Sequence, residues 1–272
     1  GGFSTRQASV GAFDSVYIDA VVTVFMFLAG ANFVLHFRAL QGKPLTYFAD
    51  EEFRFYLLLT LAAVFTVTLN LTGEDLVTSA GVKHEEAGFG TALRYASFHV
   101  VSILTTTGFV TADFNLWPAY SALLLLIFMF VGGCGGSTAG GMKNVRLVLL
   151  VKYAMAQVER CTFRRTVSNI RLNQERVDTA TLHKVLSFFF LLLGLSAVVS
   201  LSLCLLGVDD IVTAASATAA SIGNVGPGLG HVGATTTYAW LPPSAKVLLT
   251  FVMLLGRLEL YTVLVLFLRS SY

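Results

Sequence analysis

Long apolar blocks separated by short polar segments make up most of this chain. The longest blocks contain no Asp, Glu, Lys or Arg; they cover residues 20–37, 55–73, 95–112, 114–142, 185–208 and 211–245. A helix of about 20 apolar residues spans the hydrocarbon core of a bilayer. The pattern therefore predicts an integral membrane protein with several spanning helices, and it excludes a water-soluble enzyme.

Composition agrees with the apolar blocks. The 272 residues are 55% hydrophobic and 12% charged, with a net charge of +2, whereas a soluble domain carries about 25% charged residues. The chain opens on glycine, without a Met or a signal-peptide pattern, so we expect a piece of a longer protein. Cys134, Cys161 and Cys204 are too far apart to predict a disulfide framework or a metal site.

The polar segments predict the orientation of the helices. Residues 143–184 hold nine of the 18 basic residues, and basic loops face the cytoplasm. Residues 73–90 carry four acids and one Lys, so we expect them outside. Helices are predicted over 18–40 and 53–71. If 93–104 then crossed the membrane completely, the next helix, from residue 117, would run outward and place the basic segment outside. We therefore predict that 93–104 is a half-length helix, about 18 Å long, that returns to the outer side.

One order of elements occurs twice. The first unit consists of helix 53–71, half helix 93–104, a strip of small residues and an inward helix from 117 to about 157. The second unit repeats this order with helix 185–206, half helix 211–222, a second strip and an inward helix over 245–268. The chain start and helix 18–40 match the end of such a unit. The sequence thus predicts an all-α membrane protein of helix, re-entrant pore helix, strip and helix modules around a central pore.

Three strips of small residues occupy equivalent places in these units. The N-terminal strip is residues 1–5, the middle strip is residues 105–109 and the C-terminal strip is residues 221–226. Glycine permits positive φ, and irregular backbone at membrane depth is tolerated where it is buried or lines water. Half helices also direct their negative C-terminal ends at such strips, which favours a cation. A carbonyl-lined ion filter is predicted, with ordinary re-entrant turns as the alternative.

The glycine loop, residues 132–141, interrupts the inward helix that begins near Trp117. It holds six glycines in ten positions, each costing about 1 kcal/mol against Ala in a helix. We therefore expect a loop at membrane depth, the alternative being close helix packing through small residues. Arg257 lies within the last apolar stretch, where a charge is costly. It is predicted to face the pore, or alternatively to pair with a polar group on another helix.

The sequence resembles a known family. Residues 97–118 (SFHVVSILTTTGFVTADFNLWP), 132–143 (GGCGGSTAGGMK), 222–228 (IGNVGPG) and 256–259 (GRLE) are similar to the membrane subunits of Trk, Ktr and HKT potassium uptake systems, most closely the Trk type. That family has four repeats around one pore. The resemblance implies that this chain holds the end of the second repeat (1–45), the third repeat (46–160), a cytoplasmic linker (161–180) and the fourth repeat (181–272).

The resemblance also implies roles for particular residues. The filter glycines would be Gly2, Gly108 and Gly223, and neighbouring filter carbonyls would come from Gly1, Phe3, Thr106, Thr107, Phe109, Ile222, Asn224 and Val225. An intramembrane gate below the filter would comprise Gly132, Gly133, Gly135, Gly136, Ser137, Thr138, Gly140, Gly141 and Arg257. Potassium would be the substrate, with no cofactor in this chain.

The implied partners are a second copy in a homodimer, a separate cytoplasmic nucleotide-binding regulatory subunit (TrkA-like) and membrane lipid, with no nucleic acid. The implied location is the bacterial inner membrane. Three alternatives stay open: a sodium-permeable or cation-coupled (symport) member of the same superfamily, an intramembrane enzyme using His99, Asp113 or Cys134, and a structural scaffold. An enzyme would need a nucleophile and a base in one cavity.

Overall fold

A computed structural model describes residues 2–162 and 170–267. Within these ranges the helices are α1 (Val16–Ala29), α2 (Phe33–Leu40), α3 (Thr46–Ala49), α4 (Glu51–Leu71), α5 (Phe89–Leu104), α6 (Ala119–Val131), α7 (Asn144–Thr162), α8 (Thr179–Leu205), α9 (Ile211–Gly223), α10 (Pro243–Arg257) and α11 (Leu260–Phe267). Two short antiparallel hairpins pair β1 (Leu76–Val77) with β2 (Lys83–His84) and β3 (Arg171–Leu172) with β4 (Glu175–Arg176). The predicted all-α fold class is confirmed.

Two helices are long and apolar enough to cross a membrane, among the residues described. They are α4, with 21 residues, and α8, with 27 residues, or about 32 and 40 Å at 1.5 Å per residue. Helix α5 has 16 residues and begins at Phe89, four residues before the predicted start; α9 has 13 residues. Helix α5 is thus longer than the 12-residue half helix predicted over 93–104, whereas α9 begins at the predicted residue and ends one residue beyond the predicted end.

The packing repeats along the chain. Helix α4 packs on α5 and α5 on α6; in the same way α8 packs on α9 and α9 on α10. The inner helix of each unit also packs on the half helix of the next, so that α1 contacts α5 and α6 contacts α9. Two apolar cores follow from this arrangement, one around α4, α5 and α6 and the other around α8, α9 and α10. Each of α5 and α9 is therefore packed against three other helices.

The prediction of one continuous helix over 18–40 is wrong. Helices α1 and α2 are bent by 102° at a break of a few residues. The Asn32 side chain caps α2 by accepting the Val34 N–H at 2.9 Å, and an Asn cap favours a new helix start. Gly30 lies against α4, where a Cβ would be 2.7 Å from the Tyr56 hydroxyl. The segment therefore forms two helices that meet at a sharp bend.

The predicted last helix over 245–268 is also interrupted. Helix α10 ends at Arg257 and α11 begins at Leu260, with Glu259 between them at φ +62°; residue 268 lies outside the described residues. Arg257 thus occupies a helix end, where a cation interacts favourably with the helix dipole. In the predicted linker over 161–180, α7 continues to Thr162, the β3–β4 hairpin occupies 171–176 and α8 begins at Thr179, whereas 163–169 lie outside the described residues.

Candidate ion-conduction site

The middle strip follows α5 and takes two left-handed residues. Thr106 has φ +55° and Gly108 has φ +76°. The N–H groups of Thr107 and Gly108 both donate to the Ser102 carbonyl, at 2.9 and 3.3 Å, and the Ser102 hydroxyl donates to the Phe109 carbonyl at 2.7 Å. Ser102 therefore holds both ends of a tight turn at the C-terminal end of α5.

The C-terminal strip repeats this turn after α9. Asn224 has φ +56° and Gly226 has φ +113°, and the Val225 N–H donates to the Ala220 carbonyl at 2.9 Å. By these bonds and angles Asn224 matches Thr106, and Gly226 matches Gly108.

This register corrects the pairing expected from the sequence. Gly223 is the last residue of α9 and does not have the positive φ expected of a filter glycine. A Cβ at Gly223 would instead lie 3.2 Å from the Met129 carbonyl carbon, so this glycine permits close packing of α9 on α6. Gly226 was missed because the motif holds two glycines, and only the turn geometry distinguishes them.

The three strips meet one another. The Gly2 N–H donates to the Thr107 carbonyl at 2.7 Å, and Gly2 has φ +67°. A Cβ built on Gly108 would lie 2.9 Å from the Gly2 nitrogen and 3.0 Å from the Val225 carbonyl carbon. The predicted convergence of the strips is therefore present in the fold. Gly1 lies outside the described residues.

Two cavities border the strips. One, of about 450 Å³, is lined by Gly2, Gly108 and Gly226. The other, of about 750 Å³, is lined by residues of α1, by Thr105, Thr106 and Thr107, and by Thr138, Asn224 and Arg257. Phe3 and Met253 line both. The C-terminal ends of α5 and α9 lead into the strips at this junction, so their partial negative charges favour a cation there.

The glycine loop fits into the break between α1 and α2. Its Cys134 N–H donates to the Gly30 carbonyl at 2.8 Å, and its Gly136 carbonyl accepts the Phe33 N–H at 3.1 Å. These backbone bonds replace bonds that continuous helices would have made, and an unpaired buried backbone group is costly. The break in one inner helix and the loop in the next therefore satisfy each other's backbone.

Glu52, at the start of α4, also holds the glycine loop. Its Oε1 accepts the N–H of Gly135 at 2.6 Å and the N–H of Val145 at 2.8 Å, and the residue is 7% exposed. One carboxylate oxygen thus connects the loop to the first turn of α7. Sequence reasoning missed Glu52, because an acid in the first turn of a helix is ordinarily explained by the helix dipole.

Arg257 reaches the glycine loop from α10. Its Nη1 donates to the Thr138 carbonyl at 3.1 Å, and Lys143 Nζ donates to the Ala139 carbonyl. Glu259, two residues further on, pairs with Arg146 of α7 at 2.7 Å. The structure therefore brings the predicted arginine and the predicted loop together.

The residues considered for an intramembrane enzyme have separate structural partners. His99 Nε2 accepts the N–H groups of Thr111 and Ala112, both at 3.3 Å, so His99 supports the chain that leaves the middle strip. Asp113 accepts the Thr235 hydroxyl at 2.8 Å. Cys134 is buried in the glycine loop. His99 and Asp113 are thus used in contacts that hold the fold, and Cys134 is a buried residue of the loop.

Acidic residues at the predicted outer surface have local partners. Asp75 pairs with Lys83 at 2.7 Å within the β1–β2 hairpin, and this hydrogen bond, with a second from the Glu86 N–H, holds the pKa of Asp75 below its ordinary value. Asp210 caps α9 by accepting the N–H of Thr213 at 2.9 Å. Asp75 thus holds the hairpin together, and Asp210 caps a helix.

The fold and the site define an all-α integral membrane transport protein. The chain belongs to the TrkH family, described as cation transport proteins, whose pattern matches residues 1–271. This is a transporter family rather than an enzyme family, and the resemblance drawn from the sequence motifs is confirmed.

Individual relatives agree with this assignment. The chain is 40% identical over 270 residues to the Trk system potassium uptake protein TrkH of Halomonas elongata, covering 98% of this chain and 53% of that protein. It is 37% identical over 268 residues to TrkH of Escherichia coli K12, covering 98% and 53%. A crystal structure of the potassium transporter TrkH from Vibrio parahaemolyticus superposes with a TM-score of 0.89 at 35% identity, covering 99% of this chain and 56% of that one. The chain thus spans about half the length of these relatives.

Proposed function

We propose that this chain forms part of a potassium uptake pathway in which dehydrated ions pass the strips and are gated by the glycine loop. The observation that carries the proposal is the junction of three strips from three units, in which Gly108 lies next to both Gly2 and Val225. Carbonyl groups gathered around an axis replace the hydration shell of potassium. Relatives named as potassium uptake proteins support the choice of ion.

The glycine loop and Arg257 are proposed as the gate. Thr138 of the loop and Arg257 both line the cavity that touches Thr105, Thr106 and Thr107, so a permeating ion would meet them next to the strips. A fixed positive charge there repels cations. Displacing the loop would open the path, and the contact between Arg257 and Thr138 would hold the path closed.

The remaining roles follow from the family. We propose a homodimer in a bacterial inner membrane, with a cytoplasmic nucleotide-binding subunit as regulator and lipid around the exposed apolar side chains of α4 and α8, which include Leu58, Leu61, Phe65, Val198 and Leu201. A sodium-permeable or proton- or sodium-coupled transporter is the second candidate, since one strip geometry serves related monovalent cations.

The test is ion uptake by the complete protein that carries this chain, in cells lacking other potassium uptake. We expect uptake of potassium and rubidium to exceed uptake of sodium and lithium. Gly108→Ser should reduce this preference, because a Cβ at φ +76° is strained and would displace the Val225 carbonyl.

The matched control is Gly90→Ser, where a Cβ would meet nothing within 4 Å. It should leave uptake and preference at the parental level. A parent that transports sodium as well as potassium, or a well-inserted Gly108→Ser protein with the parental preference, would contradict the potassium filter.

A further inference from the structure

Thr106 has an unusual backbone for its residue type. A β-branched residue at φ +55° is a genuine outlier, and such conformations persist only where surrounding contacts hold them. The equivalent residue of the next unit is Asn224, at φ +56°, and Asn tolerates this region because its short polar side chain bonds locally. The middle strip thus uses a residue that needs outside support, whereas the C-terminal strip does not.

The outside support comes from the glycine loop. The Gly140 N–H donates to the Thr106 hydroxyl oxygen at 2.7 Å, and Thr106 is 5% exposed. A hydrogen bond in a site of low dielectric is stronger than the same bond in water. The bond therefore joins the first left-handed residue of the strip to a loop separated from it by 34 residues of chain.

The position of Gly140 leaves little freedom. A Cβ there would lie 3.3 Å from Asn224 Cβ and would overlap the Gly223 carbonyl oxygen, so this part of the loop is seated against the end of α9. Two residues earlier, Thr138 accepts the bond from Arg257. Residues 138–140 of the loop thus contact the middle strip, the C-terminal strip and the proposed gate arginine.

We propose that Thr106 is a positioning residue that couples the glycine loop to the middle strip. Gly140 in its observed position stabilises the left-handed turn at Thr106, so opening that displaces Thr138 while Gly140 stays in place leaves the strip ordered. When Gly140 also moves away, the turn loses its donor and the strip carbonyls are held less well. Ion preference then depends on the position of the loop. Coupling of this kind is reciprocal, so an ion that stabilises the strip also favours the seated loop. The inference rests on the proposed potassium pathway.

The test compares rubidium and sodium uptake by the complete protein with Thr106, Thr106→Val, Thr106→Ser and Thr106→Asn, each with and without deletion of residues 137–140. Valine keeps the branched shape and removes the hydroxyl. We expect Thr106→Val to raise rubidium uptake about two- to tenfold, the value of one hydrogen bond, and to lower the rubidium-to-sodium ratio. Thr106→Ser, which keeps the hydroxyl, should retain parental uptake and ratio.

The deletion background separates coupling from a local effect. After the deletion, the Thr106 protein should already have the reduced ratio, and Thr106→Val should add nothing further. Thr106→Asn should keep the parental ratio after the deletion, because Asn holds the left-handed turn without the loop. This variant keeps the inference testable if Thr106→Val inserts poorly.

Two results would overturn the inference in a parent that takes up rubidium: Thr106→Val behaving like Thr106→Ser, or the same Thr106→Val effect with and without the loop. A parent with no rubidium uptake above cells lacking the protein would instead overturn the proposed function, and this inference with it.

Discussion

Left-handed residues in the strips belong to three residue types, and each is tolerated for a different reason. Gly2, Gly108 and Gly226 pay no steric cost at positive φ. Asn224 bonds locally to its own turn, with Nδ2 3.4 Å from the Ile222 carbonyl. Thr106 relies on a contact from outside the strip. Glycine content alone therefore does not locate the turns, and a hydrogen-bond register is needed to align one strip with another.

Arg257 carries the residue-scale prediction on gating. Arg257→Gln should raise rubidium uptake about tenfold, because it removes a positive charge from the cavity and weakens a charged hydrogen bond to Thr138 that is worth about 1.5 kcal/mol or more. Arg257→Lys keeps the charge without the planar fork and should give a smaller increase. Uptake is measured in the complete protein at equal membrane expression.

Combining Arg257→Gln with deletion of residues 137–140 tests whether both act on one obstruction. Changes that release the same barrier are less than additive in free energy. Fully multiplicative gains would place Arg257 and the glycine loop at separate barriers, and unchanged uptake in Arg257→Gln would assign Arg257 a structural role.

Interrupted inner helices are the main feature at the scale of elements. Helix α1 breaks before α2, α6 is separated from α7 by the glycine loop, and α10 ends before α11. The first two breaks bond to each other through Gly30, Cys134, Phe33 and Gly136. Backbone groups of these two breaks are thus paired within the protein, as the hydrocarbon environment requires.

Glu52 carries the element-scale prediction. Glu52→Ala leaves the N–H groups of Gly135 and Val145 without their acceptor, at about 1–3 kcal/mol for each buried group. We expect the melting temperature of the complete protein in detergent to fall by about 5 °C, and a cysteine at Ser137 to react faster with a thiol reagent. Glu52→Gln keeps an acceptor oxygen, so its melting temperature and its cysteine reaction rate should be closer to those of the parent.

Glu51→Ala is the matched control for Glu52→Ala. Glu51 is the neighbouring acid and pairs with Lys152, but it is partly exposed, and such ion pairs contribute little. A melting temperature lowered equally by both substitutions would show that the effect arises from the helix start rather than from the loop.

Two opposite ends can be recognised in the whole molecule. At one end the β1–β2 hairpin meets the segment that follows the middle strip, where the Asp113 N–H donates to the Val77 carbonyl at 2.8 Å. The same segment meets the one that follows the C-terminal strip, where the Asn115 side chain donates to the Gly230 carbonyl at 3.1 Å. At the other end Asn173 of the second hairpin donates to Asp50 at 2.8 Å. The predicted sidedness places the first end outside and the second in the cytoplasm.

Cysteine labelling in intact cells checks this orientation. Cys161 and Cys204 are exposed and are first replaced by Ser. Glu85→Cys, in an exposed part of the outer hairpin, should react with a membrane-impermeant thiol reagent, whereas Thr179→Cys at the start of α8 should react only after the cells are permeabilised. Labelling of Thr179→Cys in intact cells would contradict the predicted orientation. It would mean that residues 143–184 lie outside, against the positive-inside rule.

The apolar blocks, a helix directly before each of the middle and C-terminal strips, the glycine loop and the family all followed from the sequence, because their signals are local: hydropathy, length and an accumulation of glycine. The bend at Gly30 gave a weaker signal, since one Gly and one Asn in an apolar run are compatible with a straight helix. The break required the glycine loop as a partner, and the loop is about a hundred residues further along the chain.

Several features were decided only by tertiary structure. Gly226 rather than Gly223 matches Gly108, because the turn register depends on where α9 ends against α6 and the loop. Glu52 holds the loop, and Gly140 supports Thr106, across separations of 83 and 34 residues. Hydropathy determines which segments enter the membrane, since transfer free energy depends on local composition. Breaks in these helices leave backbone N–H and C=O groups without helical partners. Which groups pair with one another depends on how the broken helices meet in the packed fold.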